Sequence, residues 1–141
     1  MPSAHESPEG RRIVVCEDDA GLRMVIETIL SLHGYRVFAA ARPAEALEIA
    51  DAQAGAIDVL VTDFQLPQMN GHDLIRALKG RVPRLEALVL SGHPVDGLPG
   101  PPLPNNCAFL RKPFSDTALL ETIARLLERA KPTGAGSVEG D

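Results

Sequence analysis

Ile57-Asp58-Val59-Leu60-Val61-Thr62 is a nearly unbroken apolar run, the length of a strand buried on both faces, and it ends on Asp63-Phe64. Three other runs share that form. Arg12 to Cys16 closes on Glu17-Asp18-Asp19, Leu85 to Leu90 on Ser91-Gly92, and Cys107 to Leu110 on Arg111-Lys112-Pro113. Helical spacing fills the intervals. Leu22, Val25, Ile26, Ile29 and Leu30 recur on one face before Gly34, a C-terminal cap. Tyr35 to Ala39 alternates like another strand, and Pro43 suits the first turn of a helix carrying Ala46, Leu47 and Ala50. Leu74, Ile75 and Leu78 mark a helix between Gly71 and Gly80, after a loop punctuated by Pro67. Ser115 caps a last helix that presents Leu119, Ile123, Leu126 and Leu127 and runs to Lys131, before the stop at Pro132.

This alternation predicts an α/β fold: a flavodoxin-like, doubly wound parallel sheet of five strands in the order 2-1-3-4-5, with helices on both faces. One crossing departs from it. Between Ser91 and Cys107 lie Pro94, Pro99, Pro101, Pro102 and Pro104 with Gly97 and Gly100. Each interior Pro costs a helix about 3 kcal/mol, so the fourth helix is expected to be short or replaced by a Pro/Gly-rich loop.

At 141 residues the chain suits one core, expected over residues 12–131, with residues 1–11 and 132–141 as polar tails. No signal-peptide centre and no run approaching roughly 18 apolar residues is present, which predicts a cytoplasmic protein without membrane insertion. A net charge of -5 argues against direct nucleic-acid binding. Cys16 and Cys107 lie in apolar strand sequence without ligand spacing and read as reduced core thiols. His5, His33, His72 and His93 have neither ligand nor triad spacing and receive no role.

In open parallel sheets, ligands bind where strands exit, and this order makes the first and third strands neighbours at a topological switch point. Glu17, Asp18 and Asp63 should therefore converge. Carboxylates about 4 Å apart repel by roughly 4 kcal/mol at an effective dielectric of about 20, and a hard divalent cation would relieve that repulsion. Oxygen-only ligands favour magnesium over zinc. Lys112 and Ser91 add the cation and hydroxyl that a transferring phosphoryl group needs, which leaves Asp63 free to act as nucleophile. Of the adjacent acids, Asp19 reads as a solvated bystander.

Taken in order, Ile13 to Asp19, Val59 to Gly71, Leu90-Ser91-Gly92 and Phe109 to Phe114 resemble a response regulator receiver domain of two-component signalling. The resemblance spans about Arg12 to Lys131. It implies that Asp63 is phosphorylated from a phosphohistidine on a sensor histidine kinase or histidine phosphotransfer protein. It implies that Asp18, Asp63 and the Gln65 carbonyl bind Mg2+, with Glu17 helping through water. Lys112 would pair with the phosphoryl oxygens, while Ser91 and Phe109 would form the switch that alters a surface for a downstream protein. It also implies self-catalysed phosphotransfer and dephosphorylation rather than turnover of a separate substrate, a monomer or weak dimer, and a cis Lys112-Pro113 bond.

Three features depart from the family pattern: Glu17 for the commoner Asp, Gly92 for the usual Ala, and the missing fourth helix. The last of these is similar to receivers attached to hybrid histidine kinases, and fits a phosphorelay intermediate. Three other functions compete. A degenerate receiver would bind partners without phosphorylation, but the acid, hydroxyl and lysine set is intact. An aspartyl-phosphate Mg2+-dependent phosphatase would want a second Asp where Gln65 stands. A flavin carrier would need hydroxyls and glycines in place of Glu17-Asp18-Asp19.

Overall fold

A computed structural model of the chain describes residues 10–92 and 107–129. The element order is β1 (Arg12–Cys16), α1 (Ala20–Leu32), β2 (Arg36–Ala40), α2 (Pro43–Ala52), β3 (Val59–Asp63), α3 (Gly71–Arg81), β4 (Glu86–Ser91), β5 (Cys107–Arg111) and α4 (Asp116–Arg129). All four strand pairings are parallel, in the order β2-β1-β3-β4-β5. The predicted sheet is the observed one. The expectations for the two tails and for the Pro/Gly-rich segment at 93–106 lie outside the described residues.

The sheet separates two apolar layers because successive strand residues face opposite sides. Val14, Leu60, Ala87 and Val89 pack with α2 and α3, whereas Ile13, Val15, Val59, Val61, Leu88 and Leu90 pack with α1 and α4. Strands β3 and β4 are buried along their whole length, which is why their sequences read as continuous rather than alternating.

Helix ends and strand starts share amides, and this sets the boundaries. The Gly34 amide donates to Ser31 O and the Tyr35 amide to Leu30 O at 3.2 Å, with Gly34 at φ 93°, closing α1 by a Schellman arrangement. Tyr35 is thereby withdrawn from strand pairing, and β2 begins one residue later than its alternation predicts. The Leu85 amide likewise turns back to Val82 O at 3.0 Å, so β4 begins at Glu86. Asp58 accepts from the Arg12 amide through its side chain at 2.8 Å and donates its own amide to Arg12 O, ahead of the β3 ladder. Ser115 caps α4, its Oγ accepting from the Ala118 amide at 3.0 Å.

Candidate functional site

Each strand exit is fixed by a short set of bonds. After β1, the Glu17 amide donates to Ala40 O at 3.1 Å, and the Arg23 guanidinium, reaching back from α1, donates to Glu17 O at 2.9 Å. Asp19 accepts from the Leu22 amide at 3.0 Å and is the N-cap of α1. The acid read as a solvated bystander therefore starts the helix beside the pocket.

After β3 the chain turns sharply. The Gly71 amide donates to Phe64 O, Gln65 bridges to Asn70, and Asn70 caps α3 by accepting from the Asp73 amide at 2.9 Å. A Cβ on Gly71 would stand 2.7 Å from the Asp63 carbonyl oxygen and 3.1 Å from Phe64 Cα, so only glycine lets α3 begin this close to the acid. Leu90 pairs with Asp63 across the sheet, and Ser91, buried at the end of β4, is one residue further on. The Lys112 amide donates to Ser91 O at 2.7 Å, and the Lys112-Pro113 bond is cis as expected.

These exits bring three acids to one ammonium. Carboxylate oxygens of Glu17, Asp18 and Asp63 all lie within 4.8 Å of one another, with Glu17 and Asp63 buried and Asp18 exposed. Lys112 Nζ stands 3.2 Å from Asp63 Oδ1 and 3.3 Å from Glu17 Oε1. Burial pushes the Asp63 carboxyl above the usual range; Lys112 opposes this and the charge of Asp18 reinforces it. Burial likewise raises Glu17, opposed by the Asp19 amide and Lys112 and reinforced by Asp63. Burial alone would lower Lys112, but its two carboxylate neighbours outweigh that and leave it raised. The asymmetry has a simple source: each acid holds a share of one cation, while the lysine holds two anions. An excess of negative oxygen with one member open to solvent suits a hard dication such as magnesium.

Glu17, Asp18, Asp63 and Lys112 thus meet as the sequence predicts. Gln65 follows in the exposed β3 exit loop, and Ser91 lies on the neighbouring strand exit. Phe109 is half-buried on β5, opposite Val89, against the α2 and α3 layer. Sequence reasoning missed Arg23, Asp19 and the steric role of Gly71. Asp19 carried a legible signal, an Asp directly before a helical run; the bond from Arg23 depends on a side-chain path with no sequence signature. Both cysteines are free thiols, and burial raises Cys16 to about 12 and Cys107 to about 11.

The model of the response regulator receiver domain family matches residues 13–124. The chain is 34% identical over 118 residues to the sensor kinase CckA of Brucella abortus, covering 83% of this chain and 12% of that protein. It is 33% identical over 129 residues to the response regulator MprA of Mycobacterium tuberculosis, covering 88% of this chain and 54% of the relative. The chain therefore spans about half the length of one relative and about an eighth of the other. Among solved structures, the receiver domain of the hybrid histidine kinase CckA has a TM-score of 0.72 at 31% identity, covering 82% of this chain and 98% of that one. A response regulator receiver protein from Sinorhizobium medicae reaches 0.74 at 28% identity, covering 87% and 98% respectively.

Proposed function

Because the chain belongs to the response regulator receiver domains of two-component signalling, we propose that Asp63 is its phosphoacceptor, charged from a phosphohistidine on a sensor histidine kinase or histidine phosphotransfer protein. An Asp63 carboxylate oxygen forms a bond to phosphorus as the bond from phosphorus to the donor imidazole breaks, and the released imidazole nitrogen takes a proton from solvent. The observation that carries this reading is the meeting of Glu17, Asp18 and Asp63 carboxylates within 4.8 Å, with Lys112 Nζ 3.2 Å from Asp63.

Asp18, Asp63 and the Gln65 carbonyl would hold Mg2+, which when bound neutralises and orients the phosphoryl oxygens. Lys112 supplies a fixed charge from the opposite side and Ser91 a hydroxyl. The added phosphoryl charge draws on both, which couples Asp63 to Ser91 and, through the β4-β5 pairing, to Phe109 and a surface read by a downstream protein. The chain is a phosphoacceptor that promotes its own phosphorylation and dephosphorylation, not a turnover enzyme. Likeness to the receiver of a hybrid histidine kinase supports a phosphorelay setting, and a cytoplasmic site of action is part of the same reading. No helix among the described residues is long and apolar enough to cross a membrane.

A small-molecule phosphodonor with magnesium should add one phosphoryl group, detected as a mass increase on the peptide containing Asp63, and Asp63→Asn should abolish it. Undiminished labelling of the Asp63→Asn protein would overturn the assignment.

A further inference from the structure

The chain turns from β1 into α1 over Glu17, Asp18 and Asp19, and the middle residue is the least held of the three. Asp18 is exposed, and among the described residues its side chain has no hydrogen bond or ion pair, so its carboxylate stands where its backbone puts it. The backbone just before it is fixed twice. The Glu17 amide donates to Ala40 O at 3.1 Å, and the Glu17 carbonyl accepts from Arg23 Nη1 at 2.9 Å. The second of these bonds comes from a side chain six residues away, on α1. Arg23 makes it against its ordinary preferences. It lies near the start of α1, where the helix dipole disfavours a cation. Glu27 stands four residues on, within a helical arginine's usual reach, and three acids lie just before α1, yet among the described residues Arg23 forms an ion pair with none of them. A cation drawn there by charge alone would settle on a carboxylate. Arg23 settles on a carbonyl, which holds the chain and consumes no acid oxygen.

We infer that Arg23 is a positioning residue for Asp18: by holding the Glu17 carbonyl it fixes the turn that keeps the Asp18 carboxylate within 4.8 Å of that of Asp63. This rests on the phosphoacceptor reading, in which Asp18 and Asp63 hold magnesium. Two effects of the guanidinium then have opposite signs. Its charge repels a dication, whereas its bond to Glu17 O keeps a ligand of that dication in place. Because Asp18 has no side-chain partner to hold it, the second effect outweighs the first.

Titration calorimetry with magnesium chloride tells the two effects apart by their sign. Arg23→Met removes the charge and the bond together and keeps most of the apolar stem. Magnesium affinity should fall by about tenfold, as when other supports of a metal ligand are lost, whereas removal of a merely repelling charge would raise it. Arg23→Lys keeps a donor and the charge and should stay within about threefold of the unaltered protein. Hydrogen–deuterium exchange without magnesium reports the turn itself: residues 17–19 should exchange about tenfold faster in Arg23→Met, with β4 unchanged. Arg23→Gln, shorter and still polar, loses the same bond and serves if the Met variant does not fold. Magnesium affinity unchanged or higher in the variant that folds would overturn the inference, and so would exchange at residues 17–19 no faster than in the unaltered protein. Failure of the unaltered protein to bind magnesium would overturn instead the metal reading, and exchange at residues 17–19 would then decide by itself whether Arg23 fixes the turn.

Discussion

At the scale of a residue, Gly71 decides how near α3 comes to the acid that carries the proposed chemistry. Its amide reaches Phe64 O, and the atom that an added Cβ would meet is the backbone oxygen of Asp63 at 2.7 Å. A backbone atom cannot rotate away as a side chain can, so Gly71→Ala must displace the β3 exit or the first turn of α3. The expected cost is about 1–3 kcal/mol, as for other overpacked sites, less a small gain from alanine's helix propensity. Denaturant unfolding measures it, and a loss under about 0.5 kcal/mol would show that the contact relaxes freely. From sequence, Gly71 was legible only as punctuation between a strand and a helix. The reason for it lies in a distance across the loop, which no local pattern encodes. The convergence of Asp18, Asp63 and Lys112 was more legible, because a charged residue at the end of a buried run has no packing explanation.

At the scale of an element, the termini reveal what the pattern could and could not carry. Gly34 and Ser115 were read correctly as caps because nothing else competes for them. Asp19 is exposed and outside the cluster of three acids, as expected of a bystander, but its capping role went unread because it stands third in a run of acids, where pocket chemistry draws attention from the helix that follows. Its Oδ1 accepts from the Leu22 amide at 3.0 Å, and its own amide holds Glu17 Oε2. Asp19→Ala removes only the first bond and should cost about 1 kcal/mol in thermal or denaturant unfolding. Asp19→Asn keeps the acceptor while removing the charge and should stay within a few tenths of a kcal/mol of the unaltered protein. Equal losses in the two variants would mean that the charge, not the cap, is what α1 needs. The strand starts at Arg36 and Glu86 missed their predicted places by one residue for a related reason: the amides of Tyr35 and Leu85 are spent on the turn before them.

At the scale of the molecule, the strand order does what no single motif can. Placing β1 between β2 and β3 makes the exits of β1 and β3 adjacent, and that much follows from connection rules applied to the sequence. How Lys112 divides itself between Glu17 and Asp63 does not follow, since it depends on side-chain reach across one intervening strand to Asp63 and two to Glu17. The convergence carries an energetic consequence for the whole fold. Burial disfavours the ionised forms of Asp63 and Glu17, so the folded chain without a cation holds a strained set of charges that the unfolded chain does not. A dication that binds the assembled pocket and not the unfolded chain must then stabilise the fold by mass action. At about a hundred times its dissociation constant, magnesium should add about 2.7 kcal/mol. For a domain of this size that corresponds to a melting temperature higher by roughly 10 °C. A chelator should reverse the rise. Asp18→Asn, which removes the exposed ligand and leaves the Glu17 and Lys112 contacts in place, should abolish most of it. An equal rise in that variant would place the cation elsewhere on the molecule, and no rise in the unaltered protein would mean that Asp18 and Asp63 do not form a magnesium site.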